Sequence, residues 1–430
     1  MRIIIWGINY APEPTGIAPY TSELADFLKK RGLDVEVITG FSYYPFWKKG
    51  PESRGKIYRT EEINDVPVHR CWQYVPGRLT TAKRILHELT FGVTSLFRAL
   101  FLKRADVYVV VSPPLGLGPC AWLVTLLKRS CYLFHVQDLQ PDSAAGLGMV
   151  RKGMFLRLMY AMERFSYRHA AGVSGVSRGM AEAFAAKFVP EQKTFLLPNW
   201  LRAQPAVAAS AESVALFRKT HAIPSNALLA VYSGNLGRKQ GVEVIFDAAE
   251  KLAESAIVRP IRLIVAGDGA ARASLEQRLQ ERPLANLQLL PLLSNEDYQV
   301  MLKAADLAII TQMPGSGQVC FPSKLLSVLA AGLPVITSAD DNSDLALAVT
   351  EGGFGVNVPA SAASMLAEAL QMAAAGPDLV RQWAARTGWV RRFSPSVMLS
   401  RMEMAILALA VTQSDEQEAL DRMPQGMNLR

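Results

Sequence analysis

Short apolar runs alternate with longer amphipathic segments along the first 200 residues. The runs at residues 2–6, 35–39, 107–111, 132–136 and 172–176 have the length and bounding residues of strands, and the segment 20–31 has helical periodicity. Repeated strand-helix units of this kind predict a parallel sheet covered by helices on both faces.

The same alternation restarts near residue 228. Strands are predicted at 228–233, 262–266, 287–290, 307–311 and 334–337, and helices at 242–254 and 271–281. Pro, Ala and Ser accumulate over 199–224, as in a linker. We therefore predict an α/β chain with two tandem doubly wound, Rossmann-like domains facing a cleft.

The predicted domain boundaries follow from these patterns. The first domain covers residues 1–200 and the second covers 201–390. A helix over 391–413 is expected to pack back on the first domain, and the polar segment 414–430 is expected to be a mobile tail.

The composition indicates the kind of partner and the cellular compartment of the protein. Lys and Arg total 46 against 38 Asp and Glu, a net charge of +8 that favours an anionic partner. The four cysteines lack metal-binding spacing and no secretory signal precedes the first strand, which predicts a cytoplasmic protein. Lys128 and Arg129 interrupt the longest apolar run, so no spanning helix is expected.

Two helical segments, 79–104 and 149–169, combine apolar side chains with several basic ones. The simpler interpretation is that their apolar faces pack on the sheet. Because the first domain contains two such segments, we predict instead that they bind an anionic membrane surface. This places the protein peripherally on the inner face of the cytoplasmic membrane.

Three glycine-containing loops follow predicted strands and precede helices. Gly16 in the first loop lets backbone N–H groups approach an anion, although an ordinary turn explains it equally well. In the second half, Gly234 and Gly241 flank Arg238 and Lys239, and Gly267 follows the next strand. Backbone donors beside point charges suit a diphosphate.

The segment 321–336 is the most specific stretch of the chain. Pro322 stands where a helix can begin, and Ser323, Lys324 and Leu325 occupy its first turn. Since a lysine is unfavourable at a helix start, we interpret Lys324 as the partner of a bound anion; a surface lysine near a cap is the alternative.

His135 and Asp138 lie at the end of the predicted strand 132–136. Both are candidates for catalytic roles at the cleft edge. The alternatives are a buried, hydrogen-bonded histidine and an aspartate that caps the following helix.

These motifs, in this order, resemble a GT-B glycosyltransferase of the family 4 type, as found in polysaccharide assembly. The resemblance implies a retaining enzyme whose first domain binds the acceptor and whose second domain binds the nucleotide sugar, without a metal or other cofactor. The implied donor is GDP-fucose and the implied acceptor a polyprenyl-diphosphate-linked saccharide in exopolysaccharide assembly. The implied catalytic residues are His135 and Asp138, and the implied donor-binding residues are Gly16, Gly234, Asn235, Arg238, Lys239, Gly267, Ser323, Lys324 and Leu325.

The chain departs from the family pattern at four places. Val319 and Ser327 stand where family members carry a glutamate pair, so contacts made by those carboxylates do not carry over. Asn235 and Gln240 stand where the glycine loop usually has its cations.

Two other classes of protein fit less well. A nucleic-acid-binding protein would suit the net charge, but no helix-turn-helix, RRM or zinc spacing is present. A nucleotide-sugar epimerase needs a Gly-x-x-Gly-x-x-Gly loop after the first strand, and residues 10–16 do not provide it.

Overall fold

The computed structural model of the protein describes residues 1–78, 80–146, 153–202, 209–255, 259–316 and 323–421. The side chains of Arg238, Ser323 and residues 413–421 lie outside this description. Contacts divide the chain into two units, which are described separately. Unit 1 comprises Met1–Asn199 with the chain from Ser396 onward, and unit 2 comprises Trp200–Pro395.

Unit 1 contains an eight-stranded sheet in the order β3-β4-β2-β1-β5-β6-β7-β8. All neighbouring strands are parallel except the antiparallel pair β3 and β4. The strands are β1 (Arg2–Trp6), β2 (Asp34–Gly40), β3 (Tyr58–Ile63), β4 (Val66–Cys71), β5 (Val107–Ser112), β6 (Cys131–Val136), β7 (Gly172–Gly175) and β8 (Thr194–Leu196). The helices are α1 (Ala18–Lys30), α2 (Thr81–Phe101), α3 (Leu117–Lys128), α4 (Gln140–Gly146), α5 (Met154–His169) and α6 (Arg178–Ala186).

Burial of the central strands explains this architecture. All six residues of β5 are buried, the pattern of a parallel strand covered on both faces. At the sheet edge, Asn64 and Asp65 connect β3 to β4 with φ values of 52° and 61°. Two consecutive residues in the left-handed region form the tight turn whose twist matches a β-hairpin.

Unit 2 contains a six-stranded, fully parallel sheet in the order β11-β10-β9-β12-β13-β14. The strands are β9 (Leu228–Ser233), β10 (Ile261–Ala266), β11 (Leu287–Leu290), β12 (Leu307–Thr311), β13 (Val335–Ser338) and β14 (Gly355–Val358). The helices are α7 (Ala211–Thr220), α8 (Glu243–Glu254), α9 (Arg272–Glu281), α10 (Asn295–Ala304), α11 (Ser323–Ala330), α12 (Asp344–Gly352), α13 (Ala363–Ala375) and α14 (Pro377–Ala384).

Alternate residues of β9 enter two separate cores, one on each face of the unit 2 sheet. Leu228 and Tyr232 belong to the core that includes α8 and α13. Leu229 and Val231 belong to the core that includes α10 and α11. This two-sided burial is what the period of a strand produces when helices cover both faces.

The predicted α/β architecture with two parallel-sheet domains is confirmed, and the predicted strands agree with the observed ones within one residue at each end. The prediction omitted β3, β8 and β14, which lie at sheet edges, and β4, which pairs with β3. Of the predicted helix 149–169, residues 149–152 lie outside the described residues, and α5 begins at Met154.

The last helix, α15 (Pro395–Asp421), continues past residue 413, where a polar tail was expected to begin. Residues 422–430 of that expected tail lie outside the described residues. Within unit 1, Glu403 of α15 accepts a hydrogen bond from Arg31 Nε at 3.1 Å. The carbonyl oxygen of Leu409 lies 3.8 Å from Cys131 Sγ in β6.

One stretch, Pro377–Thr412, is long and apolar enough to span a membrane by length and composition alone. The expectation that no helix spans a membrane therefore stays a prediction. The stretch includes α14 and most of α15, and buried apolar residues of α15 such as Met402 and Ile406 contribute to packing. Core helices of globular proteins meet the same criterion, so it is weak evidence for a membrane span.

Candidate functional site

Four predicted donor-binding residues come together in unit 2. Gly234 and Asn235 follow β9, and Gly267 follows the neighbouring strand β10. Lys324 reaches the same place from the first turn of α11. The carboxyl ends of adjacent parallel strands form the usual ligand site of an open α/β sheet.

The loops after β9 and β10 pack together through their backbones. Gly234 N donates to Ala266 O at 2.9 Å, and Leu236 N donates to Asp268 O at 2.8 Å. A Cβ atom on Gly267 would lie 1.9 Å from Gly234 O, and Gly267 has a φ of +158°. Glycine is therefore required at 267, because any side chain would separate the two loops.

The Lys324 side chain lies against Gly234. A Cβ atom at position 234 would lie 2.5 Å from Lys324 Cε and 2.8 Å from Nζ. Nζ donates to the Tyr232 hydroxyl at 2.7 Å and lies 4.2 Å from the centre of the same ring. The Tyr232 hydroxyl in turn donates to Asn235 O at 2.9 Å, so one tyrosine holds both the lysine and the glycine loop.

Burial lowers the pKa of Lys324 to about 8. Desolvation disfavours the ammonium form, and it is the cause of this shift. Burial also raises the pKa of Tyr232, which keeps its hydroxyl neutral. A desolvated ammonium group beside a glycine loop is suited to bind an anion, which would restore its charge.

The basic loop of unit 2 forms a short 3₁₀ helix over Arg238–Gln240 that is fixed through its carbonyl groups. Lys239 O accepts hydrogen bonds from Met313 N at 2.9 Å and from Ser316 Oγ at 3.2 Å. Gln240 O accepts one from Thr311 Oγ1. The loop backbone is thus held to the segment after β12, while the Arg238 side chain lies outside the described residues.

The remaining residues of the segment 321–336 have different positions. Ser323 is the first residue of α11. The Leu325 side chain is fully buried in the unit 2 core, so any contact of Leu325 with a donor would have to come from its backbone. Val319 lies outside the described residues, and Ser327 is half-buried on α11. Within the described ranges, no group of three His, Cys, Asp or Glu side chains is arranged to hold a metal ion.

In unit 1, His135 is buried and both ring nitrogens have partners. Nδ1 lies 2.8 Å from Ser174 Oγ, and Nε2 lies 2.8 Å from the amide nitrogen of Gln137. The Gln137 amide also exchanges two hydrogen bonds with Asn199. Burial lowers the pKa of His135 to about 4.

This is the geometry of the buried, hydrogen-bonded histidine that the sequence left as an alternative. Because a neutral amide must donate to Nε2, the network assigns the ring proton to Nδ1, which donates to Ser174. The predicted catalytic role of His135 stays a prediction, and Gln137 and Asn199 join it as polar groups at the end of β6.

Asp138 lies two residues before α4 and accepts a hydrogen bond from Ser143 Oγ inside that helix at 2.6 Å. This contact ties the start of α4 to the end of β6. The hydrogen bond agrees with a role for Asp138 in positioning α4. The catalytic assignment of Asp138 remains a prediction.

Gly16 lies in unit 1 at the wall of a cavity of about 300 Å³. It has a φ of +71°, and a Cβ atom there would lie 3.2 Å from the Tyr44 ring. The aromatic and polar residues that share this cavity were not predicted from the sequence. The signal was present in the aromatic-rich segment 41–47, but nothing local indicates that it faces α2.

The two parallel-sheet units and the donor-type loops of unit 2 are features of a GT-B glycosyltransferase. Comparison with family models supports this class: residues 15–200 match the glycosyl transferase 4-like domain, and residues 214–387 match glycosyl transferases group 1. The chain belongs to the glycosyltransferases of the GT-B fold and family 4 type.

Individual relatives agree with the family assignment. The chain is 33% identical over 396 residues to WcaI of Escherichia coli K12, named as a colanic acid biosynthesis glycosyl transferase, covering 90% of this chain and 96% of the relative. Among solved structures, sucrose-phosphate synthase of Thermosynechococcus elongatus has a TM-score of 0.72 at 18% identity, covering 96% of this chain and 99% of that one. Anabaena Alr3699/HepE in complex with UDP has a TM-score of 0.67 at 14% identity, covering 95% of this chain and 100% of that one. The two solved structures support the fold alone.

Proposed function

We propose that this enzyme transfers fucose from GDP-fucose to a polyprenyl-diphosphate-linked saccharide, with retention of anomeric configuration, during assembly of an exopolysaccharide such as colanic acid. The similarity to WcaI, which is named as a colanic acid biosynthesis glycosyl transferase, supports the polymer. The observation that carries the donor half of the proposal is Lys324 Nζ beside the Gly234 loop.

Charge development explains how this arrangement would promote transfer. As the glycosidic bond to the donor breaks, the departing nucleoside diphosphate gains negative charge. A cation fixed in place before the reaction stabilises that charge more than it stabilises the ground state, and so lowers the barrier. Lys324 is held in this way by Tyr232. We assign Arg238 and Lys239 to the same diphosphate, and no metal ion is needed in this scheme.

We also propose that unit 1 binds the inner face of the cytoplasmic membrane through the apolar stripe of α2. The stripe consists of five exposed side chains spaced three or four residues apart: Leu86, Leu89, Val93, Phe97 and Phe101. Phe101 is 84% exposed and Leu89 is 60% exposed. The opposite face of α2, which includes His87, Phe91, Ser95 and Ala99, is the one that packs inward.

The surroundings of the stripe suit an anionic bilayer. Lys83, Lys103 and Arg104 are exposed at the two ends of α2. The helix α3 packs against both α2 and α5, and it exposes Leu126 and Leu127. On α5 the exposed residues include Met154, Leu158, Arg157 and Arg164. Apolar side chains flanked by basic ones are the composition of helices that lie in the membrane interface.

The donor assignment is tested by thermal unfolding of the protein with a panel of GDP-, UDP- and dTDP-sugars. A ligand present at about one hundred times its Kd stabilises the folded protein by ~2.7 kcal/mol. We expect GDP-fucose to give the largest shift, and Lys324→Ala to reduce that shift. A larger shift with a UDP-sugar would identify that UDP-sugar as the donor in place of GDP-fucose. The absence of a shift with every nucleotide sugar would contradict the assignment of a donor site.

A further inference from the structure

Tyr232 and Lys324 come from the two opposite faces of the unit 2 sheet. Tyr232 is 1% exposed and belongs to the core that includes α8 and α13. Lys324 is on α11, whose residues Leu325 and Leu326 belong to the core on the other face. The two side chains meet at the carboxyl end of β9, where Gly234 follows the strand.

Gly234 provides the space through which the lysine reaches Tyr232. A Cβ atom at position 234 would lie 2.5 Å from Lys324 Cε and 2.8 Å from Nζ, and Gly234 has a φ of +127°. The lysine side chain therefore occupies the place that any larger residue would fill. The absence of a side chain at 234 lets a residue from one face of the sheet contact a residue from the other.

The hydrogen bonds at this contact run in one direction. An ammonium group can only donate, and a carbonyl oxygen can only accept. Lys324 Nζ donates to the Tyr232 hydroxyl at 2.7 Å, and that hydroxyl donates to Asn235 O at 2.9 Å. The hydroxyl hydrogen thus points to Asn235, and the lone pairs of the oxygen face the lysine. The tyrosine ring adds a cation–π contact, since Nζ lies 4.2 Å from its centre.

The carbonyl group that orients Tyr232 is itself fixed by the loop after β10. Asn235 O belongs to the same peptide group as the N–H of Leu236, which donates to Asp268 O at 2.8 Å. Leu236 O accepts a hydrogen bond from Ala271 N at 2.8 Å. The chain of contacts from this loop to the lysine is therefore in place before any ligand binds.

We propose that Tyr232 is a positioning residue that acts through Lys324: its hydroxyl, oriented by Asn235 O, holds the lysine ammonium group beside the Gly234 loop. An ammonium group has three N–H donors, so the bond to Tyr232 leaves up to two for the oxygens of a diphosphate. The inference rests on the proposed function, because that diphosphate belongs to the nucleotide sugar. Tyr232 itself is assigned no contact with the donor.

The same contact affects the charge of the lysine. Burial lowers the pKa of Lys324 to about 8, and an acceptor directed at Nζ opposes this effect by stabilising the ammonium form. Burial, followed by the negative charge of Glu243 in the first turn of α8, raises the pKa of Tyr232, so the tyrosine stays neutral while the lysine titrates. Removal of the hydroxyl should therefore lower the pKa of Lys324 further.

The first test is Tyr232→Phe, which removes the hydroxyl and keeps the ring that packs in the core. The charge of Lys324 is followed by NMR of lysine labelled with carbon-13, and its signal is identified by its absence from Lys324→Arg. We expect a midpoint near pH 8 in the wild type and a midpoint lower by about half a pH unit or more in Tyr232→Phe. An unchanged or higher midpoint in Tyr232→Phe would overturn the proposal, and the measurement requires no ligand.

Tyr132→Phe is the matched control. Tyr132 is also 1% exposed, and its hydroxyl donates to a backbone carbonyl, Ser166 O, at 2.7 Å in unit 1. This variant loses the same kind of buried hydrogen bond without a lysine beside it. We expect its Tm to fall as in Tyr232→Phe, and its Lys324 midpoint and nucleotide-sugar affinity to match the wild type.

The second test is isothermal titration with GDP-fucose and UDP-glucose. At about pH 7 we expect Tyr232→Phe to weaken binding of the preferred nucleotide sugar about tenfold in the wild-type background. In the Lys324→Ala background the same substitution should change affinity by no more than about twofold, because a residue that acts through another has little effect once that other is removed.

Two outcomes of the titration separate this proposal from the proposed function. If Lys324→Ala weakens binding while Tyr232→Phe binds like the wild type, or if the two losses are fully additive, the positioning role of Tyr232 is overturned and the diphosphate assignment stands. If Tyr232→Phe lowers the lysine midpoint but Lys324→Ala binds both nucleotide sugars like the wild type, the diphosphate assignment fails and the action of Tyr232 on Lys324 stands.

Discussion

Lys324 provides the sharpest prediction, a loss of nucleotide-sugar affinity as the pH rises. With a pKa of about 8 in the unliganded protein, about nine tenths of the lysine is charged at about pH 7 and about one tenth at about pH 9. A neutral amine cannot neutralise a diphosphate, so affinity is expected to follow the charged share. The predicted loss is about tenfold, or ~1.4 kcal/mol.

The sign of this effect is opposite to that of stability. The unfolded lysine has its ordinary pKa of 10.5, so between the two pKa values the unfolded chain binds a proton that the folded protein lacks. The contribution of Lys324 to the free energy of unfolding therefore rises with pH through this window. Weaker donor binding at high pH is thus not a consequence of the Lys324 titration destabilising the fold.

The assay is isothermal titration of the nucleotide sugar identified by the donor panel, at several pH values between about 7 and 9. Lys324→Arg keeps the charge at every pH and should remove most of the pH dependence, while also accounting for titration of the nucleotide itself. Lys324→Ala should bind weakly throughout, and Lys303→Ala, at an exposed lysine of α10, should resemble the wild type. A wild-type affinity that is constant over this range, or an equal decline in Lys324→Arg, would refute the reasoning.

Four further predictions concern the fold, the membrane and metal ions. Gly267→Ala should lower the free energy of unfolding by about 2 kcal/mol or more, because its Cβ would lie 1.9 Å from a carbonyl oxygen. The control is Gly388→Ala, whose Cβ would have its nearest neighbouring atom at 4.0 Å and which should be nearly neutral in thermal unfolding. The double variant Leu89→Ser and Phe97→Ser should weaken cosedimentation with anionic vesicles at least tenfold, since each side chain contributes up to about 1.5–3 kcal/mol when fully buried in lipid. Lys83→Glu should weaken that binding at low salt and have little effect at high salt, and equal binding of the wild type to neutral vesicles would contradict the charge contribution. EDTA should leave turnover within about twofold of its starting value; loss of activity that manganese restores would count against the metal-free scheme.

Apolar periodicity was sufficient to predict the central strands of both units, because those strands are buried on both faces. The hairpin of β3 and β4 was missed, although Asn64 and Asp65 stand at its turn and β3 alternates between half-buried and exposed residues. Its signal is weaker because one face of an edge strand meets solvent.

The sequence predicted glycine loops after β9 and β10, and these two loops pack together in the structure because neighbouring parallel strands end at one edge of a sheet. The partner of Lys324 was not predictable, because Tyr232 lies 92 residues earlier and its hydroxyl is positioned only by the folded sheet. The sequence also left open whether His135 is a buried, hydrogen-bonded histidine. Its partner Ser174 lies 39 residues further along the chain, so the hydrogen bond between them forms only in the folded sheet.

The orientation of α2 shows the limit of periodicity most clearly. The sequence alone could not decide whether the apolar side of α2 packs on the sheet or faces a membrane surface, and in the structure Leu89, Val93 and Phe97 are exposed. A helix with two apolar regions has two possible inward faces, and the smaller residues Ser95 and Ala99 are the ones that permit close packing.

The central claim, transfer of a sugar from a nucleotide donor to a lipid-linked saccharide, is tested most directly by mass spectrometry of the acceptor after incubation with enzyme and GDP-fucose. We expect the lipid-linked saccharide to gain one deoxyhexose residue and NMR to show the donor's anomeric configuration in the product. Lys324→Ala should form this product much more slowly. Release of GDP with an unchanged acceptor, or an unchanged donor in the presence of every lipid-linked saccharide offered, would contradict it.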